Sequence, residues 1–342
     1  MTGRQPTGPE PHPDLDLFLR VPTRPDRGAV DRAFDVLLQE GRAAEVAGFD
    51  GIVLPFDAAG EDPLVAATAI AAATRRLRIV AAWPIPGATP VYAAKLAVTF
   101  QRFSGGRLGW WIDSDGPGVG AAYGDRLVRP QRQGRDAELL DVARQVFAGG
   151  PVDVTGRHAT VAGGGFADPL SRAPFPEVWV SGTSPAAREL AAQHGGRLVV
   201  PAGTGVTTGN RSDGAGEIGA GTVGTLAAVT SAAVTSAVET GGAIGGTDPG
   251  AGAGADAGIA VELAVVARET AAEAEDVAAA HEPPAGALVG SYDDVADRLA
   301  DLRAAGVTGV VLGLTPVLEE AYRFGHFVRP LLGTREVATR VA

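Results

Sequence analysis

The strongest constraint in this chain is a rhythm: short, nearly uninterrupted apolar runs alternate with longer stretches of helical spacing. The runs at 15–21, 51–56, 77–83, 108–112, 177–181, 197–200, 259–268 and 307–314 read as eight strands. Helices are expected between them at 29–49, 62–74, 89–103, 135–147, 184–193, 270–280 and 291–305, with a last one at 318–332. Several starts are written chemically. Asp62, Thr89 and Ser184 each stand one residue before a proline, the N-cap and N1 pairing that opens a helix. Thr270 and Glu273 have the spacing of a capping box. The stretch 152–161 (VDVTGRHATV) alternates about a Thr-Gly turn and reads as a hairpin excursion.

Strands that are apolar throughout are covered on both faces, which is the habit of parallel sheets flanked by helices. Eight such units close into a (β/α)8 barrel. The rival, an open doubly wound sheet, normally carries a G-x-G-x-x-G turn after its first strand. Here that turn is VPTRPDRGAV. The expected domain is a barrel over 15–332, preceded by a polar Pro- and Gly-rich leader at 1–14 and followed by a tail at 333–342. Residues 204–258, dominated by Gly, Ala, Thr and Ser, break the rhythm after the sixth strand. They read either as a lid or as a low-complexity insertion.

Composition narrows the chemistry. Cysteine is absent, so no disulfide or thiolate site is available, and a cytoplasmic setting is expected. A net charge of −11 speaks against a nucleic-acid partner. No apolar run approaches the ~20 residues of a membrane span. His12, His158, His194, His281 and His326 have no metal-ligand spacing, and no metal is expected.

The best local functional feature is Ser181-Gly182-Thr183-Ser184, between a strand and a capped helix. A helix start offers free N–H groups and a positive dipole end to an anion, and Gly182 permits close approach. A plain capping turn is the alternative. Trp111, Asp113 and Ser114 end the fourth strand, where barrels carry functional side chains. Asp113 reads as a base or as a solvated rim acid. Glu61 and Asp62 read as helix-start acids.

Four blocks resemble the bacterial-luciferase-like flavin-dependent monooxygenases, nearest the alkanesulfonate branch: FQRFSGGRLGWWIDSD (100–115), EVWVSGTSPAARELAAQHGGRLVV (177–200), ALVGSYDDVADRLADLRAAGVTGVVLG (287–313) and TPVLEEAYRFGHFVRPLL (315–332). The resemblance implies reduced FMN supplied by a separate flavin reductase, dioxygen as oxidant, a small organic substrate and a homodimer. It places the flavin phosphate at Ser181, Gly182, Thr183 and Ser184, and the flavin ring near Ser114. The Tyr expected near the phosphate corresponds to Gln133, and the His of the first-strand loop to Arg24. Other departures fall in the pocket. Trp111 replaces an Asn and either stacks on a ligand or fills the flavin's space. Glu262 and Ala264 replace an Arg and a His, so a sulfonate would meet an acid. Thr315 replaces a Tyr. Three readings follow: an active monooxygenase, a catalytically silent paralogue serving as a scaffold or dimer partner with no cofactor, or a coenzyme F420-dependent relative.

Overall fold

The protein was analysed as a computed structural model, which describes residues 15–24, 33–83, 85, 88–116, 123–166, 173–201, 258–284 and 286–333. The leader, the tail and nearly all of 204–258 lie outside the described residues. The strands are β1 (Asp16–Arg20), β2 (Gly51–Leu54), β3 (Arg78–Ala82), β4 (Leu108–Asp113), β5 (Gly150–Thr155), β6 (Thr160–Phe166), β7 (Glu177–Ser181), β8 (Arg197–Pro201), β9 (Ile259–Arg268), β10 (Leu288–Ser291) and β11 (Gly309–Gly313). The described helices, numbered in chain order, are α1 (Ala33–Ala47), α2 (Pro63–Ala73), α3 (Pro90–Ser104), α4 (Arg129–Ala148), α5 (Pro185–Gln193), α6 (Ala271–His281), α7 (Tyr292–Ala304) and α8 (Val317–Arg323).

Parallel pairing runs β11-β1-β2-β3-β4-β7-β8, and β9 bonds to both β8 and β11, so eight strands close on themselves. The chain is a (β/α)8 barrel. The caps read from sequence form. Asp62 accepts from the N–H groups of Leu64 and Val65, Thr89 from Tyr92, Ser184 from Ala187 and Thr270 from Glu273. β5 and β6 make the antiparallel hairpin.

Three details differ from expectation. Helix α4 starts at Arg129 rather than 135, with Pro130 opening it. The four-residue strand β10 pairs with Val265–Arg268, the half of β9 that outruns the barrel. A run this short, followed at once by a capped helix, carries no periodicity to read. The terminal helix is interrupted by a π-helical turn, Phe324–Val328.

Period-two alternation sorts the strands into two cores. Outward residues such as Leu19, Ile52, Ile79, Ile112, Val180 and Leu312 pack beneath the helices. Inward residues Phe18, Val53, Val80, Trp111, Trp179, Val199, Ala260 and Val311 fill the barrel. One step below, the same parity carries Asp16, Arg78, Glu177 and Arg197. Asp16 bridges Arg78 at 2.6 Å and Arg197 at 2.8 Å, and Arg197 Nε lies 3.4 Å from Glu177. The guanidiniums of Arg78 and Arg197 each sit 4.7 Å from a ring centroid above them, Phe18 and Trp179. The N-terminal end is thus closed by ions on an aromatic layer.

Between α4 and α5, His194 is buried, and among the described residues its Nε2 has no hydrogen-bond partner, the Asp141 carboxylate lying 3.8 Å away. Burial, helped by the Arg144 charge, pushes its pKa down to about 4 from the ordinary 6.5. The unfolded chain then takes up the proton first. The stability His194 contributes is complete above pH 6.5 and is lost as the pH falls toward 4, up to about 3 kcal/mol. Urea unfolding across that window should show His194→Gln with a shallower pH slope than wild type. Equal slopes would mean an unshifted imidazole.

Candidate functional site at the barrel rim

The C-terminal ends of β4, β7 and β8 are laced together. Ser114 N–H donates to the Ser181 carbonyl at 3.1 Å, and Gly182 N–H to the Val199 carbonyl at 3.0 Å. This brings the start of α5 beside the loop that follows β4. Ser114 and Ser181 are both buried there. The amide nitrogen of Gln133, on α4, lies 3.2 Å from Ser114 Oγ and 3.3 Å from Ser184 Oγ. Positions widely separated in sequence therefore form one polar cradle.

An acid not singled out in the sequence occupies that cradle. The Asp115 carboxylate accepts from Thr183 N–H at 2.6 Å, Ser184 N–H at 2.8 Å and Ser184 Oγ at 2.6 Å, with Gln133 Nε2 at 3.2 Å. Burial alone would push its pKa up. The Ser184 and Thr183 hydrogen bonds and the Arg129 charge outweigh that, holding it below the usual carboxylate range. Gly182 makes the approach feasible: a Cβ there would stand 2.7 Å from Asp115 Cγ and 2.9 Å from Ala187 Cβ.

The remaining predicted residues spread around the mouth. Trp111 is buried inside the barrel, its ring centroid 6.4 Å from that of Trp179. Asp113 is exposed at the rim, with protein packed closely around it, and accepts from Gly116 N–H at 3.1 Å. That crowding raises its pKa, with the Gly116 bond and Arg132 charge acting in the opposite sense. Glu262 shares the inward parity of Ala260 but is not an uncompensated acid. Arg20, two residues above Phe18 on β1, forms an ion pair and hydrogen bond with it across β11. The Glu262 charge is thus paired with that of Arg20 inside the mouth. Thr315 is exposed just beyond β11, and Arg24 is exposed after β1.

Sequence reasoning missed Arg20 and Asp115. Arg20 had a signal, since period two places it inward above Phe18. Asp115 had none, because its direction depends on a loop. Among the described residues, no group of three or more acids and histidines is arranged to hold a metal ion, and no helix is long and apolar enough to cross a membrane.

A closed parallel barrel with a polar cradle at the C-terminal ends of its strands is the architecture on which (β/α)8 enzymes build their sites. Within it, the chain belongs to the luciferase-like monooxygenase family, whose profile matches residues 15–208. Among solved structures it is similar to the EDTA monooxygenase from Chelativorans sp. BNC1, at 20% identity and a TM-score of 0.72, covering 94% of each chain. A long-chain alkane monooxygenase matches at 15% identity and a TM-score of 0.70, covering 94% of this chain and 92% of that one. An F420-dependent secondary alcohol dehydrogenase matches at 16% identity and a TM-score of 0.66, covering 93% and 99%. At these identities the likeness concerns the fold.

The cradle can be tested against the flavin phosphate that the family resemblance puts there. Its donor chemistry suits an oxyanion. Its donors, however, are already directed onto Asp115, and a phosphate in the same place would meet a carboxylate. As arranged, these residues do not fit that group.

Proposed function

We propose that this chain is a catalytically silent paralogue of the luciferase-like monooxygenases, a barrel that keeps the family scaffold as a partner for another barrel and does not hold reduced FMN. The observation that carries this reading is the Asp115 carboxylate, which takes the N–H groups of Thr183 and Ser184 and the Ser184 hydroxyl. The Trp111 indole inside the barrel and the Arg20–Glu262 pair across its mouth support it, since both take up places where a ring or a substrate would lie. The partner role draws on α2. From Pro63 to Ala73 that helix carries no charged residue, and its outward Val65, Thr68 and Ala72 are exposed. A helix apolar on all sides is normally covered. A homodimer is the simplest cover.

The convergence of Gln133 on Ser114 and Ser184, with Ser184 and Gln133 on one oxyanion, favours a second reading, an active monooxygenase. Reduced FMN would come from a separate reductase and dioxygen would serve as oxidant. The substrate would be a small organic molecule, neutral rather than anionic because the mouth carries a matched ion pair.

Titration of the purified protein with oxidised and reduced FMN separates the two. The silent reading expects dissociation constants no tighter than about millimolar, on the order of 4 kcal/mol, and a dimer by sedimentation. Micromolar FMN binding with substrate-dependent oxygen uptake would sink it. The same titration with F420 tests that cofactor.

A further inference from the structure

The family's cofactor and this chain's residues disagree at one place, and the disagreement has a single author in the sequence. We propose that Asp115 is an internal anion that closes the α5 cradle to phosphate monoesters, so that one side chain sets whether this rim recognises a phosphorylated ligand. The inference rests on the silent reading for its biological meaning but not for its chemistry.

Three observations carry it. First, the carboxylate takes the donors a phosphate would need: the N–H groups of Thr183 and Ser184 and the Ser184 hydroxyl, with the Gln133 amide nitrogen also in reach. Second, the backbone is shaped around it. Gly182 has no Cβ where one would strike Asp115 Cγ and Oδ2, both at 2.7 Å. Third, the occupant is charged. A dianion entering this cradle would face a negative group at contact distance in a partly dry setting, where repulsion is poorly screened. Neutral ligands of the mouth would not meet this penalty. The cradle therefore discriminates by charge, excluding FMN or inorganic phosphate while remaining indifferent to a flavin without its phosphate.

The test uses inorganic phosphate alone, with sodium chloride at matched ionic strength as reference, and reads the thermal midpoint of the full chain. Wild type should show no saturable phosphate response. Asp115→Gly should show one, and Asp115→Asn, which keeps the size and loses the charge, a weaker one. In parallel, the affinity ratio of FMN to riboflavin should rise at least tenfold from wild type to Asp115→Gly. A saturable response in wild type overturns the proposal even if neither variant folds, and so does a folded Asp115→Gly that ignores phosphate. Wild type that binds FMN as tightly as riboflavin would overturn the proposal, whereas wild type that binds riboflavin at micromolar levels, yet neither FMN nor phosphate, would defeat the silent reading and leave the Asp115 assignment standing.

Discussion

Replacing Glu320 by alanine is expected to lower the unfolding free energy by about 3–5 kcal/mol, a large part of the roughly 5–15 kcal/mol that holds a typical domain. Glu320 lies on α8 and meets Arg268 of β9 through two parallel contacts, Nη1 to Oε2 at 2.8 Å and Nη2 to Oε1 at 3.0 Å. Both side chains are buried. Arg268 also donates to the Ala267 carbonyl at 2.7 Å, and Arg323 stands 3.3 Å from Glu320 Oε1. Truncating the acid leaves the Arg268 guanidinium buried without its carboxylate, a far larger cost than the net worth of the pair. The double replacement Arg268→Met with Glu320→Leu should therefore recover most of the loss. Urea unfolding of wild type, single and double variants decides it. A single variant within 1 kcal/mol of wild type would show that the pair relaxes into water. Glu320 thus has a fastening role, holding α8 to β9.

The second large effect is expected inside the barrel. Trp179 is fully buried, edge-on to Phe18 with centroids 4.5 Å apart, beside Trp111 on the neighbouring strand and above Arg197. Trp179→Ala should cost about 3–5 kcal/mol, because a closed barrel cannot collapse onto the space. Trp179→Phe should cost much less. It keeps an aromatic face for Arg197 and removes an indole N–H that has no hydrogen-bond partner among the described residues. Chemical denaturation of the two variants gives the comparison. Equal losses would mean that the indole's full volume, rather than its aromatic face, supports the layer.

Much of the scaffold is legible in the sequence, and for local reasons. Caps at Asp62, Thr89, Ser184 and Thr270 are written in two to four adjacent residues. Apolar runs between them left few arrangements besides a parallel sheet covered on both faces. The site was legible only as an inventory. Ser114 and Ser184 were named, and the fold brings both to Gln133. Glu262 was recognised as inward-facing, but the Arg20 that neutralises it lies 242 positions away. Strand β10, which joins the sheet outside the closed barrel, has four residues and no period to betray it.

The sequence by itself determined the order of strands and helices, where most of the helices begin, and that eight strand–helix units would seek closure. These follow from nearest-neighbour chemistry and from periodicities of 2.0 and 3.6 residues. Only the tertiary structure decided what the cradle holds. An aspartate after β4 and a helix start after β7 share no local pattern, and they meet because closure sets β4 beside β7 in register, Asp113 against Ser181. Hydrogen-bond direction and charge proximity arise from that meeting, and they turn a site drawn for a ligand's anion into one filled by the chain's own.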